Sequence, residues 1–244
     1  MGSAVVVVSG GSRGLGLRVV QHFLDAGDVV ATCSRKPSEA IRQLQERPSH
    51  RGRFLFESLD VANAEAVRNF TAKIVERFQR IDILVNNAAI AHGGLLGLLS
   101  KEQIDEMVDV NLKGPLFVTR ECLRVMLRQA SGRIINVTSV VGRRGYSGLA
   151  TYASTKAALI GLTQSLAREV GPKGITVNAI APGFLETTMS QGLNEQQQQQ
   201  IIRRTPLGRL GRLEDVIPLI AFFASDQASF ITGQVLSVDG GLSC

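Results

Sequence analysis

Val5-Val6-Val7-Val8-Ser9-Gly10-Gly11-Ser12-Arg13-Gly14-Leu15-Gly16 is the stretch on which the fold turns. Residues 4–8 form a short apolar run rich in β-branched side chains, the pattern of a strand covered on both faces. Beyond the glycines, Leu17, Val20, Phe23 and Leu24 recur at helical spacing. Gly10, Gly14 and Gly16 therefore sit between a strand and a helix. Glycines there allow a tight turn and let the backbone approach a pyrophosphate, which the helix N-terminus attracts. A plain tight turn is the bland alternative, and a lone glycine pattern is weak evidence. Here the flanks are right, and the turn falls at the first β–α junction.

Working outward, strand and helix patterns alternate. Strands are expected at Val29–Cys33, Phe54–Leu59, Ile81–Val85, Arg133–Val137, Thr176–Ile180 and Gln234–Val238. Helices are expected over 36–48, Ala64–Phe78, 101–128, 150–171 and 213–224. Alternation of this kind predicts an α/β fold: a single-domain, Rossmann-type, doubly wound parallel sheet of about seven strands with helices on both faces. No linker or composition shift divides residues 1–244. The polar segment 184–212, with its glutamine tract Gln196–Gln200, reads either as a solvated helix face or as a lid over the site.

Composition narrows the function. A chain of 244 residues that is 44% hydrophobic can bury a sizeable core. No apolar run approaches the ~20 residues of a membrane helix. Ala4–Val8 lacks the flanks of a signal peptide, and Val6 breaks the myristoylation pattern that Gly2 would begin. Cys33, Cys122 and Cys244 form no C-x-x-C and no Cys/His cluster, so neither a metal site nor a disulfide framework is indicated. Reduced thiols in a cytoplasmic, cytosol-like compartment are expected. The net charge of +6 is scattered rather than gathered into a stripe, which argues against nucleic acid. It suits a basic face for an anionic cofactor or an acidic carrier. Asn136-Val137-Thr138 matches a glycosylation signal but falls in an expected buried strand.

The second strand ends Thr32-Cys33-Ser34-Arg35. An acidic residue at this point would bind the ribose 2′-hydroxyl of NAD. None is present. Arg35, with Arg13 in the glycine turn, offers two guanidiniums for a 2′-phosphate, which predicts NADP(H). The alternative is that both are solvated surface arginines.

Tyr152 and Lys156 are four residues apart, with Ser139 upstream. On a helix, positions i and i+4 share a face. A phenol has a pKa near ~10, and a nearby positive charge favours the phenolate. The pair is thus a candidate tunable proton donor, or an ordinary surface pair. His22, His50 and His92 show no metal spacing, and His92 is either a cleft residue or a loop histidine.

The glycine turn, Asp60, Asn86-Asn87-Ala88, Ser139, Tyr152 and Lys156, taken in order, resemble the short-chain dehydrogenase/reductase family over essentially the whole chain. Val110-Asn111-Leu112-Lys113-Gly114 falls where that family keeps an asparagine. The resemblance implies a catalytic set of Asn111, Ser139, Tyr152 and Lys156. Tyr152 would give its proton to a substrate carbonyl. Lys156 would hold the nicotinamide ribose, Ser139 would bond the carbonyl oxygen, and Asn111 would hold a water that resupplies the proton. It implies cofactor contacts at Gly10, Ser12, Arg13, Gly14, Leu15, Gly16, Ser34, Arg35, Asp60, Val61, Asn87, Ala88, Ala89, Tyr152, Lys156, Pro182, Gly183 and Thr187. Ala89 stands where the family usually has glycine, and Ser9 where it usually has threonine.

Gly132–Val137, Ala167–Val170, Ala181–Thr187 and Ile231–Gly233 look closest to the 3-oxoacyl-[acyl-carrier-protein] reductases. That likeness implies an NADPH-dependent reductase of a 3-oxoacyl thioester, with acyl carrier protein as partner and a homo-oligomeric assembly, tetramer or dimer. A carbonyl reductase or alcohol dehydrogenase for a free ketone is the alternative. A non-catalytic NADP-binding sensor is a third reading, one that loss of Tyr152 or Lys156 would have favoured. Arg128, Arg133 and Lys173 are candidates for a carrier-docking patch. Leu116, Phe117, Leu159, Leu162 and Leu166 offer apolar helix surface for assembly, or core.

Overall fold

The computed structural model describes residues 3–186 and 194–244. The valine run is β1 (Val5–Ser9), buried throughout. Val5 and Val7 point into one apolar layer, Val6 and Val8 into the other. That alternation requires helices on both sides, and the rest of the chain supplies them. After β1 come α1 (Gly14–Asp25), β2 (Val29–Ser34), α2 (Glu39–Glu46), β3 (Phe54–Ser58), α3 (Ala64–Phe78) and β4 (Ile83–Asn86). Then follow α4 (Lys101–Val108), α5 (Gly114–Gln129), β5 (Gly132–Val137), α6 (Val141–Arg144), α7 (Ala150–Val170) and β6 (Ile175–Pro182). The chain finishes with α8 (Glu195–Arg204), α9 (Leu213–Ala224) and β7 (Val235–Val238).

The seven strands are ordered β3-β2-β1-β4-β5-β6-β7, and every pairing is parallel. One layer packs Phe70 and Ile74 of α3, Val118 and Cys122 of α5 and Leu166 of α7 against the sheet. The other packs Val19 and Phe23 of α1, Ile41 of α2, and Ile220 and Phe223 of α9. The chain runs outward from β1 through β2 to β3, then returns to place β4 on the other flank of β1. This reversal opens a crevice at the carboxyl ends of β1 and β4, where doubly wound sheets take their ligands.

A polar chain crosses the sheet inside the first layer. Asn86 and Asn136 are register partners on β4 and β5, and Asn86 Nδ2 donates to Asn136 Oδ1 at 2.8 Å. Asn86 Nδ2 also reaches Thr119 Oγ1 of α5, while Asn136 Nδ2 donates to Thr163 Oγ1 of α7. Both asparagines are at most 1% exposed, so the glycosylation pattern at Asn136 is a strand residue with its amide committed.

The expected helix over 101–128 is interrupted. Between α4 and α5 lies one turn of π-helix, Asp109–Lys113, for a reason that belongs to the site. The expected helix over 36–48 is shorter, because Pro48 forces Arg47 into an extended conformation (ψ 122°) and opens a 3-10 turn at Pro48–His50. The polar segment contains α8, begun by a capping box between Asn194 and Gln197. Leu159 and Leu166 are core, whereas Leu116 is 40% exposed. Among the described residues, no helix is long and apolar enough to cross a membrane.

Candidate active site

The glycine turn is shaped by close approach. A Cβ on Gly16 would stand 2.2 Å from Gly10 O, and one on Gly10 would stand 2.7 Å from Ala88 Cα. Gly10 and Gly14 both have positive φ, 72° and 53°. Gly14 differs from the others because a Cβ there would meet nothing within 4 Å. The turn is tight behind and open in front. Behind it, Ser9 Oγ accepts from the backbone N–H groups of Asn87 and Ala88, and Asn87 Nδ2 donates to Ser9 O and Gly10 O. The ends of β1 and β4 are thereby fastened together. The hydroxyl that Ser9 shares with threonine is the part in use.

Helix α1 starts at Gly14 with no side-chain cap and no acidic residue in its first turn. Its first N–H groups face the open side of the turn, which suits an anion. Leu15 is buried beneath the turn and Arg13 is exposed beside it. At the neighbouring strand end, Ser34 Oγ donates to Lys36 O, and Arg35 Nη1 donates to Glu106 Oε1 at 3.0 Å. Asp60 Oδ1 accepts from Ala62 N–H, a local turn that sets Val61 against α5. A Cβ on Gly114 would stand 2.7 Å from Val61 Cγ2.

Asn111 explains the π turn. Its Oδ1 accepts from Ile90 N–H and its Nδ2 donates to Ile90 O, both at 2.8 Å. Nδ2 also donates to Thr155 Oγ1 at 3.2 Å. The side chain thus pairs with the backbone after β4 as a strand would, and the helix admits an extra residue to present it. Both Nδ2 hydrogens are spent on protein. A water at Asn111 would therefore have to donate, to the backbone carbonyl or to the second lone pair of Oδ1.

Ser139 lies just beyond β5 and Tyr152 lies in the first turn of α7. The four-residue helix α6 brings them together. Gly142 makes this possible, since a Cβ there would stand 2.9 Å from the backbone of Lys156 and Ala157. The Ser139 hydroxyl lies close enough to the Tyr152 phenol to act on its acidity, and Ser139 Oγ accepts from Val141 N–H at 3.2 Å. Lys156, 2% exposed, lies beneath them with Nζ 5.8 Å from the Tyr152 ring centre. Its ammonium donates to Val137 O at 2.8 Å. An ammonium has three hydrogens, so two are left for a ligand at the crevice.

The electrostatics differ from the simple expectation of a phenolate. Burial pushes the Tyr152 phenol up to about 12, with the Ser139 hydrogen bond acting in the opposite sense. Burial also pushes Lys156 down, to about 8. Desolvation outweighs mutual attraction in the protein by itself. Tyr152 consequently keeps its proton at neutral pH, the state a proton donor requires.

Pro182 ends β6 and Gly183 follows it, against Asp239. Thr187 lies outside the described residues. Next to the candidate acid, the rings of Tyr146 and Phe184 meet at 5.3 Å. They join Leu149, Tyr152 and Val235 in a small apolar cluster. No local sequence pattern marks Tyr146, Phe184 or Thr155 as part of the site, although Tyr146 is one of just two tyrosines in the chain. His92, left open between cleft and loop, places Nε2 2.9 Å from Glu106 Oε2. The apolar loop 94–99 is largely exposed, Leu98 at 80%, and is pinned near α7 by Gly94 N–H donating to Gly148 O.

A family model described as enoyl-(acyl carrier protein) reductase matches residues 10–243. The chain belongs to the short-chain dehydrogenase/reductase family. Within it, the chain is 39% identical over 237 residues to the 3-oxoacyl-[acyl-carrier-protein] reductase FabG of Staphylococcus aureus (strain Mu50), covering 97% of this chain and 96% of that one. It is 37% identical over 238 residues to the FabG of Thermotoga maritima, covering 98% and 97%. Among solved structures, "ElxO with NADP Bound" superposes with a TM-score of 0.91 at 35% identity, covering 98% of each chain. The family's doubly wound fold is the one described above.

Proposed function

We propose that this protein is an NADPH-dependent oxidoreductase that reduces the ketone of a 3-oxoacyl thioester carried on acyl carrier protein. The observation that carries the reading is the meeting of three groups at the crevice. The Tyr152 phenol and the Ser139 hydroxyl sit together, the one acting on the acidity of the other, and the Lys156 ammonium is buried behind them with hydrogens to spare. The open, uncapped start of α1 beside Gly14 suits the cofactor's pyrophosphate, and Lys156 suits its ribose hydroxyls. When bound, NADPH supplies the hydride. Ser139 orients the carbonyl oxygen and stabilises its developing charge, and Tyr152 releases its proton to that oxygen. Lys156 supplies positive charge under the phenol as it ionises. Asn111 holds Ile90, α4 and α7 in one arrangement through its amide. The described parts of the 184–212 segment, Phe184 and α8, would serve as a cover for this site.

Carrier-bound substrate is supported by the names of the curated relatives. A docking patch built on Arg128 and Lys173 fits an acidic carrier. Arg133 does not join it, since its side chain is only 13% exposed and tied to Asp226. A reducing, cytosol-like compartment and a homo-oligomeric assembly complete the reading.

The test is NADPH consumption with acetoacetyl-carrier protein, a small acetoacetyl thioester, free ketones and a 2-enoyl thioester. We expect turnover fastest on the carrier-bound ketone and absent on the enoyl thioester. We also expect inhibition by salt with the carrier-bound substrate alone. Faster turnover of free ketones would favour the small-molecule reading instead. For cofactor choice, Arg35→Ala should weaken NADPH binding about tenfold or more while sparing NADH, as charge-assisted bonds to phosphate are lost. Equal affinity of the unaltered protein for NADPH and NADH would sink the NADP(H) assignment.

A further inference from the structure

Glu106 stands on α4, shortly before the π turn, and holds partners from opposite flanks of the crevice. Its Oε1 accepts from Arg35 Nη1 at 3.0 Å, and its Oε2 lies 2.9 Å from His92 Nε2. A carboxylate offers acceptors alone, so His92 Nε2 carries the hydrogen. Arg35 follows β2 and His92 follows β4, and those two strands flank β1. The Arg35–Glu106 pair therefore reaches across the carboxyl end of β1, above the glycine turn. The end of β2 carries no acid of its own, and Glu106 is the carboxylate delivered there from a different helix. The His92 hydrogen bond, and after it Arg35, hold the Glu106 carboxyl below the usual range, so it is ionised at neutral pH.

We propose that Glu106 is a specificity-determining residue for the adenosine end of the cofactor, acting through Arg35 by occupying the guanidinium that a 2′-phosphate must claim. The inference rests on the NADP(H) reading above. The Arg35 and Glu106 side chains are 56% and 40% exposed, so their pair is weak and exchangeable. A phosphate dianion makes the stronger partner for arginine. On exchange, Glu106 keeps His92 and is held toward the β4 flank. A cofactor without the 2′-phosphate has no such claim and leaves the pair intact. Glu106 thus lowers the preference for the phosphorylated cofactor below what Arg35 alone would give.

The experiment is calorimetric titration with adenosine 2′,5′-bisphosphate and, separately, ADP, so that no turnover is involved. Glu106→Gln should bind the bisphosphate about two- to fivefold more tightly, the scale of an exposed ion pair, with ADP unchanged. His92→Ala should shift the bisphosphate the opposite way, because Glu106 is then left wholly to Arg35. Unfolding temperatures of the free variants verify that each is folded. Bisphosphate affinity unchanged or weaker in a folded Glu106→Gln, or tightening shared equally by ADP, would overturn the inference. Arg35→Gln separates the two levels. If it abolishes the preference for the bisphosphate while Glu106→Gln does nothing, the cofactor reading survives and the Glu106 inference fails. If the preference survives Arg35→Gln undiminished, the phosphate is held elsewhere, Arg13 being the other candidate, and the Glu106 inference fails while the NADP(H) reading stands.

Discussion

Tyr152→Phe is expected to lower kcat/KM by about 10³-fold, within the range that a positioned general acid contributes, while NADPH binding stays within a few-fold. The substitution removes one oxygen. It keeps the ring, which packs with Val140, Val141 and Phe184, and leaves the glycine turn untouched. It also removes the hydroxyl that lies beside Ser139, so the carbonyl oxygen would lose its proton source and part of its orientation together. Stopped-flow reduction and fluorescence titration of NADPH measure the two quantities separately. Turnover within a few-fold of the parent protein would remove Tyr152 from the role of acid.

Lys156→Met is expected to make the protein more stable and inactive. Lys156 has a folded-state pKa of about 8, depressed from an ordinary 10.5 by burial. The sign follows from linkage. A base with a depressed folded pKa favours folding fully above its unfolded value and loses that contribution as pH falls through the folded one. At pH 7 the folded protein therefore bears a cost on the order of 3 kcal/mol for a buried ammonium. Methionine occupies similar volume without charge and forfeits the bond to Val137 O. The net expectation is a rise in Tm of several degrees at pH 7, at roughly 2–4 °C per kcal/mol for a chain of this size. The difference from the parent should shrink between pH 8 and 10.5, as the parent's lysine neutralises. Calorimetry at pH 7 and pH 10 checks this, and a lower Tm for the variant at pH 7 would contradict it. Stability forgone at this position is what a site, rather than a core, would show.

The sequence made the sheet legible because local signals agreed there. The valine run, the glycine turn and the alternation of strand and helix are short-range patterns, and each was found where it pointed. What the sequence hid is longer in range. The π turn at Asp109–Lys113 arises from Asn111 pairing with Ile90, and no periodicity in 101–128 announces a partner 21 residues back. Glu106 looks like a solvated helix residue until Arg35 and His92 arrive from two other strands. The four-residue spacing puts Tyr152 and Lys156 on one helix face, with Nζ 5.8 Å from the ring centre. Their pKa values were not legible, because the spacing fixes the face they share and says nothing about how deeply the face is buried. Tyr146 and Phe184 meet through α6 and the segment after β6, elements too short or too polar to be placed from pattern alone.

The asparagine pair across β4 and β5 has a consequence for assembly of the site. In a parallel sheet, a slip of one residue between β4 and β5 would turn one amide to the opposite layer, where valine and isoleucine line the sheet, and would leave the other without its partner. Each stranded amide would cost about 1–3 kcal/mol, a sizeable part of a protein's net stability of ~5–15 kcal/mol. Asn86 and Asn136 therefore act as a proofreading device on strand alignment. Val137 and Ser139 lie one and three residues beyond Asn136 on the same chain. Correct alignment at the asparagines delivers the Val137 carbonyl to Lys156 and the Ser139 hydroxyl to Tyr152. A polar pair buried inside the sheet thus sets the height at which the chemistry takes place.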